Sequence, residues 1–390
     1  MTAVRALLRR GWALVTPLGR TLLALCVLSW VAGAWLSWKE LLVVATACLL
    51  LFAMAVLFTL GRLDLTAEMG VEPSRVVMGE RAAGSLLLTN RAGRAARWLR
   101  IEMPVGRALA TYSVAKLGAE PVEELFVVPT NRRAIIPVGP VATVQGDPLG
   151  VLRRRRTWTE VEEIYVHPRT VALTTLAAGM IRDLEGQPTA QLSPSDVAFH
   201  TLRDYVPGDD RRHVHWKSTA KLGKLLVRQY VDTRRSHVAV LLSTDLDDYA
   251  DDDEFELAVS CAASVAAQSL RDEQTLTVLA GVDQLPSAAA RPMMDRFSGV
   301  EGTHGKGGIA TTLQSARRRA AAASVAVLCT GSRRGVTDVR RAAARCGFDL
   351  PMIVLHAASH ADPGYRTVGI TKFVNVPRLE VLNKGLEGVA

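Results

Sequence analysis

Residues 203–228 read RDYVPGDDRRHVHWKSTAKLGKLLVR, and no other stretch of the chain is as dense in chemically demanding side chains. Asp209 and Asp210 pair two carboxylates, Arg211 and Arg212 pair two guanidiniums, and His213, His215 and Lys217 alternate with Val214 and Trp216. Three chemistries are open to this set. Asp209 or Asp210 can bond Arg203 or Arg212 with charge assistance, while Tyr205 and Trp216 fill a seam; the motif is then an interdomain clasp. Alternatively, its Arg, Tyr and Trp side chains form a surface for a protein partner, because these types most often carry binding energy. The third option is a catalytic or metal site built from His200, Asp209, Asp210, His213 and His215. Arg211, Arg212 and Lys217 crowd that location with positive charge, which opposes a bound cation. The clasp and the partner surface are compatible and are preferred.

Other catalytic signatures do not occur. The run Gly302-Thr303-His304-Gly305-Lys306-Gly307 is Gly-rich but has neither the spacing nor the helix of a phosphate-binding loop. There is no G-x-S-x-G elbow and no C-x-x-C pair. A chain without ATP-handling residues does not drive remodelling itself; a neighbouring ATPase can.

The elements that position the motif begin with a turn at Pro207-Gly208, where Pro presets φ and Gly accepts a positive one. The alternation that follows predicts a strand, with His213, His215 and Lys217 on one face and Val214 and Trp216 on the other. Upstream, residues 63–172 carry short β-like runs at 63–71, 83–89, 98–104, 124–128, 133–138 and 162–167, punctuated by turn residues such as Gly79, Asn90 and Asn131. An antiparallel β-sandwich follows from that pattern. Arg153–Arg156 is the strongest basic run and reads as a solvated loop between strands; few aromatic residues surround it to stack on bases, so no nucleic acid is expected. Residues 173–235 form a linker and the motif segment. From 236 to 390 strands and helices alternate: strands at 237–242, 275–280, 324–329 and 351–356, helices at 254–270, 310–323 and 337–346. That order implies a mostly parallel sheet covered on both faces. Residues 282–308 read as a long loop with a short strand, and 367–382 as an edge strand and tail.

Residues 1–62 differ in kind. Two uncharged apolar runs, Thr21–Trp38 and Leu41–Leu60, are separated by Lys39 and Glu40 alone. Each is long enough to cross a hydrocarbon core of roughly 30 Å, and the short connection makes them an antiparallel hairpin in the lipid. Arg5, Arg9, Arg10 and Arg20 precede the hairpin and Arg62 follows it, which predicts both termini and all folded mass on the cytoplasmic side of the inner membrane. A net charge of +9 suits an anionic leaflet. The five cysteines have no metal-type spacing and read as free cytosolic thiols.

The pattern R-x-Y-x-x-G-D-D-x-R-x-V-x-W is carried by Arg203, Tyr205, Gly208, Asp209, Asp210, Arg212, Val214 and Trp216, followed by Ser218, Ala220, Leu225, Val227 and Arg228. Gly139-Pro140 and Asp147-Pro148-Leu149-Gly150 precede it. Together with a hairpin, a sandwich and an α/β domain, these residues resemble domain-of-unknown-function family 58 (DUF58) over nearly the whole chain. The resemblance implies a von Willebrand factor A-like last domain. It also implies company: a MoxR-type AAA+ ATPase, and membrane proteins with transglutaminase-like domains. A metal-binding domain of that type carries D-x-S-x-S after its first strand. Here Ser243 replaces the Asp, and Asp245 and Asp247 replace the two Ser; Thr311 or Thr312 offers the second-loop hydroxyl, and Cys329-Thr330-Gly331 lacks the third-loop Asp. No standard metal site and no cofactor are expected, with Asp245, Asp247 and Thr311 as the residues a divalent cation would use.

These readings converge on a non-enzymatic, inner-membrane-anchored adaptor that binds a protein partner during assembly or maturation of an envelope complex. The alternative is a metal-dependent hydrolase using the His/Asp cluster at 200–215.

Overall fold

The computed structural model describes residues 12, 14–59, 64–92, 96–118, 120–174, 197–206, 214–232 and 237–387, in two compact units, Met1–His167 and Pro168–Ala390. In the first unit, helix α1 (Pro17–Leu36) starts where Thr16 Oγ1 accepts from Gly19 N at 3.1 Å, with Pro at the position where its missing N–H costs nothing. It stops at Ser37, whose φ of 56° is left-handed, and α2 (Lys39–Thr59) begins at once. Small residues are buried on both helices: Gly33 of α1 packs on Leu42 and Cys26 lies 3.4 Å from Ala45 O of α2, whereas Gly19 packs on Val151 and Ala55 joins the cluster of Val15, Val151 and Leu152. Large apolar side chains point away instead, with Trp35 90% and Leu57 73% exposed. Both helices are long and apolar enough to cross a membrane.

The rest of this unit is antiparallel but for one pair of strands. Strands β1 (Leu65–Glu72), β3 (Ala82–Asn90) and β6 (Val122–Val128) form one sheet in the order β1-β3-β6. A larger sheet holds β2 (Arg75–Val77), β4 (Ala96–Val105), β5 (Ala108–Leu117), β7 (Ala134–Val138), β8 (Ala142–Gly146), β9 (Arg153–Thr157) and β10 (Glu162–His167). Alternate residues of both sheets meet in one core, Leu86, Leu88 and Phe126 from the first and Ile101, Met103, Ile136 and Ile164 from the second. The period-2 burial of β3 shows the origin of this core in the sequence. Arg153–Arg156 is not the loop expected. It is strand β9, at the sheet edge beside β8. Charged side chains suit an edge because they discourage further pairing, and Arg153 is paired with Glu102 while Arg156 stacks on Trp158.

The second unit opens with a two-stranded pair, β11 (Val197–Asp204) against β12 (Leu226–Asp232), with α3 (Trp216–Leu222) between them in sequence. A seven-stranded sheet follows: β13 (His237–Leu242), β14 (Thr275–Ala280), β15 (Asp283–Leu285), β16 (Val325–Gly331), β17 (Met352–Ala357), β18 (Gly364–Val368) and β19 (Thr371–Val376). Its order is β15-β14-β13-β16-β17-β19-β18, parallel except for the two edge strands β15 and β18. The inner strands are buried on both faces, as in β13, where every residue after His237 is buried. Helix α4 (Asp252–Arg271) packs on one face with α5 (Ala290–Ser298) and α8 (Leu382–Glu387); α6 (Ile309–Arg319) and α7 (Val336–Cys346) cover the other. Helix α5 lies inside the segment read from sequence as loop. Its pattern was obscured by Pro292, which is tolerated in a first turn, while Met293 and Phe297 bury one face.

Candidate functional site

In an open parallel sheet the chain reverses its winding once, and the crevice outside the carboxyl ends of the two strands there is the natural binding place. Here β14 lies on one side of β13 and β16 on the other, so that point lies between β13 and β16. Three loops meet at it: Ser243–Asp248 after β13, Gly302–Gly308 before α6, and Ser332–Gly335 after β16.

Asp248 is the centre of this cluster. Its side chain is 1% exposed, its Oδ2 accepts from Ser243 Oγ at 2.5 Å, and its Oδ1 accepts from Arg334 Nε at 2.6 Å. Arg334 holds its proton more tightly than a free guanidinium, first because of that hydrogen bond. Glu254, equally buried at the start of α4, accepts from Ala250 N, Ser332 N and Ser332 Oγ through one oxygen, which ties the first loop to the third. Tyr249 OH donates to Ser243 O at 2.5 Å, and burial raises its pKa well above the ordinary phenol value. Gly331 is required here, since a Cβ would lie 2.5 Å from Asp248 O.

Asp245 is also buried, and its Oδ1 accepts from Asp247 N and Gly305 N. A Cβ on Gly308 would come within 3.1 Å of Asp245 Oδ2 and 3.6 Å of Asp248 Oδ2, so glycine leaves room for both carboxylates at the amino end of α6. Asp247 faces outward and pairs with His304 Nδ1 at 2.9 Å, which lowers its pKa. Thr311 is exposed and donates to Gly308 O; the buried hydroxyl is that of Thr312, which donates to Gly307 O and Gly308 O. Thus Asp245 and Thr312 turn inward, and Asp247 and Thr311 do not.

This donor set does not fit a divalent cation. Among the described residues no three His, Cys, Asp or Glu side chains gather as metal ligands. The most deeply buried aspartate of the loops, Asp248, already carries a guanidinium, and a second cation beside it would meet like charge. Asp248, Glu254 and Arg334 were not singled out from the sequence. Asp248 lies just past the D-x-S-x-S window, Glu254 reads as a dipole-complementing acid in a first turn, and Arg334 is 86 residues from its partner.

The central motif is described in part. Gly208, Asp209, Asp210, Arg212 and His213 lie outside the described residues, as do the side chains of His200, Arg203 and Arg228. On the backbone, Arg203 is opposite Val227 and Leu202 opposite Arg228, so the ends of the motif meet across one antiparallel pair. Tyr205 N donates to Leu225 O at 2.9 Å. The expected strand through 217 ends at Val214, which bridges Val227. From there the chain turns into α3, because His215 acts as its N-cap: Nδ1 accepts from Ser218 N at 3.2 Å and lies 2.8 Å from Ser218 Oγ. A side-chain cap overrides the alternating pattern. Trp216 heads this helix and is 63% exposed, with Val206, Leu222 and Leu225 also exposed.

Residues 201–348 match the family described as "Protein of unknown function DUF58". That stretch is a DUF58 segment. It takes in the motif, β13 to β16 and all three loops of the cluster, while the apolar helices and the first unit lie outside it. No curated protein matches the chain. Among solved structures, the CARDB domain of the PF1109 protein from Pyrococcus furiosus is 16% identical over 27% of this chain and 91% of that chain, at a TM-score of 0.20. A beta-glucosidase from Listeria innocua is 13% identical over 28% of this chain and 17% of that one, at 0.19. The sporulation control protein Spo0M from Bacillus subtilis is 11% identical over 26% and 49%, at 0.16. Likenesses at such TM-scores carry no argument about the DUF58 segment or the rest of the chain.

Proposed function

We propose that this protein is a non-enzymatic, membrane-anchored adaptor. The two apolar helices hold it in the inner membrane, and the arginines flanking them keep both termini and the folded units in the cytoplasm. The second unit is a von Willebrand factor A-like domain, a reading supported by its strand order and by the antiparallel edge strand β15. Its carboxyl-end loops and the 203–228 motif receive a protein partner. The observation that carries this reading is the Asp248–Arg334 pair: the crevice where such a sheet takes its ligand is held by a buried ion pair between its loops, so the rim presents a preformed surface. Exposed Trp216 adds an anchor of the type that dominates protein interfaces.

The family resemblance points to a MoxR-type AAA+ ATPase as that partner, with a transglutaminase-like membrane protein in the same assembly. No nucleic acid is involved. Co-purification of the full chain from detergent tests this. The wild type retains the ATPase, and Trp216→Ala, Asp209→Ala and Arg212→Ala each reduce retention while the protein stays folded. Absence of the ATPase from the wild-type eluate, or retention unchanged in all three variants, refutes the adaptor reading.

A further inference from the structure

A cavity of about 310 Å³ opens at the carboxyl ends of β17 and β19, with every lining residue except Val336 beyond the DUF58 match. Strand register explains its lining. His356 is opposite Asn375 in the parallel β17–β19 pair, and Phe373 is opposite Arg366 in the antiparallel β19–β18 pair. Opposed residues share a face, and positions two apart share it too, so His356, Phe373, Asn375 and Arg366 all stand on the side of the sheet covered by α7. Val336, the first residue of α7, closes the cavity from above.

Three observations say what it takes. His356 is 8% exposed, and its Nε2 is buried and makes no hydrogen bond of normal geometry among the described residues, although the Asn375 side chain lies close enough to raise the pKa of the ring. A buried polar atom left unpaired costs free energy, which a bound acceptor beside it would relieve. Arg366, on the same wall, makes no ion pair or side-chain hydrogen bond among the described residues, and no Asp or Glu lines the cavity. Asp338, in the first turn of α7, is engaged by Gly335 N and by Arg341. The Phe373 ring, 5.8 Å from His356, and Val336 supply an apolar wall.

We propose that this cavity binds a small monocarboxylate with a short apolar tail. The carboxylate lies between the Arg366 guanidinium, the Asn375 amide and the His356 Nε2–H, and the tail lies on Phe373 and Val336. A guanidinium fork matches a carboxylate in shape and charge. The histidine stays neutral, since burial lowers its pKa to about 4. The cavity therefore brings one positive charge, which suits a monoanion better than the dianion of phosphate.

The test uses the full chain in detergent with ¹⁵N-labelled histidine, which gives only eight side chains to follow. Isovalerate is the probe; isovaleramide and inorganic phosphate are the controls. Isovalerate is expected to move one histidine resonance saturably, and that resonance is absent in His356→Gln. Arg366→Ala, an exposed position whose loss leaves the fold intact, raises the half-saturating concentration by about tenfold or more, as expected for a lost charge-assisted pair. Asn375→Asp, which adds a carboxylate to the cavity, abolishes the shift. Three results overturn the proposal: no saturable shift at millimolar isovalerate, equal binding of the amide or of phosphate, or an unchanged midpoint in Arg366→Ala. None depends on the adaptor reading.

Discussion

Among the described residues, replacing Arg334 with alanine removes the one cation bonded to the Asp248 carboxylate and leaves Ser243 Oγ as its remaining side-chain donor. Deleting one partner of a fully buried ion pair costs about 3–5 kcal/mol, because the other charge stays behind in a poor solvent. Asp248 meets that condition, with a side chain 1% exposed, but the Arg334 side chain is 42% exposed. Water reaches the guanidinium and, once it is gone, part of the carboxylate, so the expected loss falls to about 2–3 kcal/mol. For a unit of this size that lowers the melting temperature by about 5–10 °C. Differential scanning fluorimetry or a urea titration of the full chain in detergent reads it. The decisive control is Asp248→Asn in the Arg334→Ala background. An amide needs no counterion, so the double variant recovers most of the loss, whereas a role for Arg334 in packing alone predicts no recovery. A melt of Arg334→Ala within a degree of wild type, or a double variant less stable than the single one, refutes the picture of a crevice held by the Asp248–Arg334 pair.

Three further outcomes follow from the same structure. His356 titrates at about 4 when folded against 6.5 as a free side chain, first because of burial, with Asn375 and Glu254 pulling the other way. Its stability contribution is therefore whole above pH 6.5 and falls away as the pH drops toward 4, by about 3 kcal/mol in total; the difference between wild-type and His356→Gln unfolding free energies across that window checks it, and parallel curves contradict it. Burial pushes the Cys261 thiol up to about 12 and Cys329 well above the usual thiol value, so neither reacts with a soluble disulfide reagent at pH 8 until the protein unfolds; mass spectrometry that finds either labelled in the native state contradicts this. Trp216→Ala changes unfolding free energy by less than about 1 kcal/mol, because the ring is 63% exposed; a larger loss in a denaturation curve places the ring in a seam instead.

How much of this is legible in the sequence depends on the range of the interaction. Residue-scale periodicity is local, so strand 237–242 was read with its observed bounds and helices 254–270 and 337–346 to within two residues. Two uncharged apolar runs with a two-residue break announced helices long enough to cross a membrane. Local reading failed where a side chain outvoted the pattern: His215 capped α3 out of an alternating stretch, and four arginines formed an edge strand where charge had suggested a loop. Asp248 and Arg334, 86 residues apart, became neighbours only because two loops emerge side by side where the sheet changes direction. His356, Arg366 and Asn375 came to one wall only through the register of β17, β19 and β18. Composition and periodicity settle which segments become helix or strand, since those preferences are decided within a turn or a pleat. Which charges meet, and which buried nitrogen is left without a hydrogen bond of normal geometry, is set by strand order and register, and a linear chain does not display either.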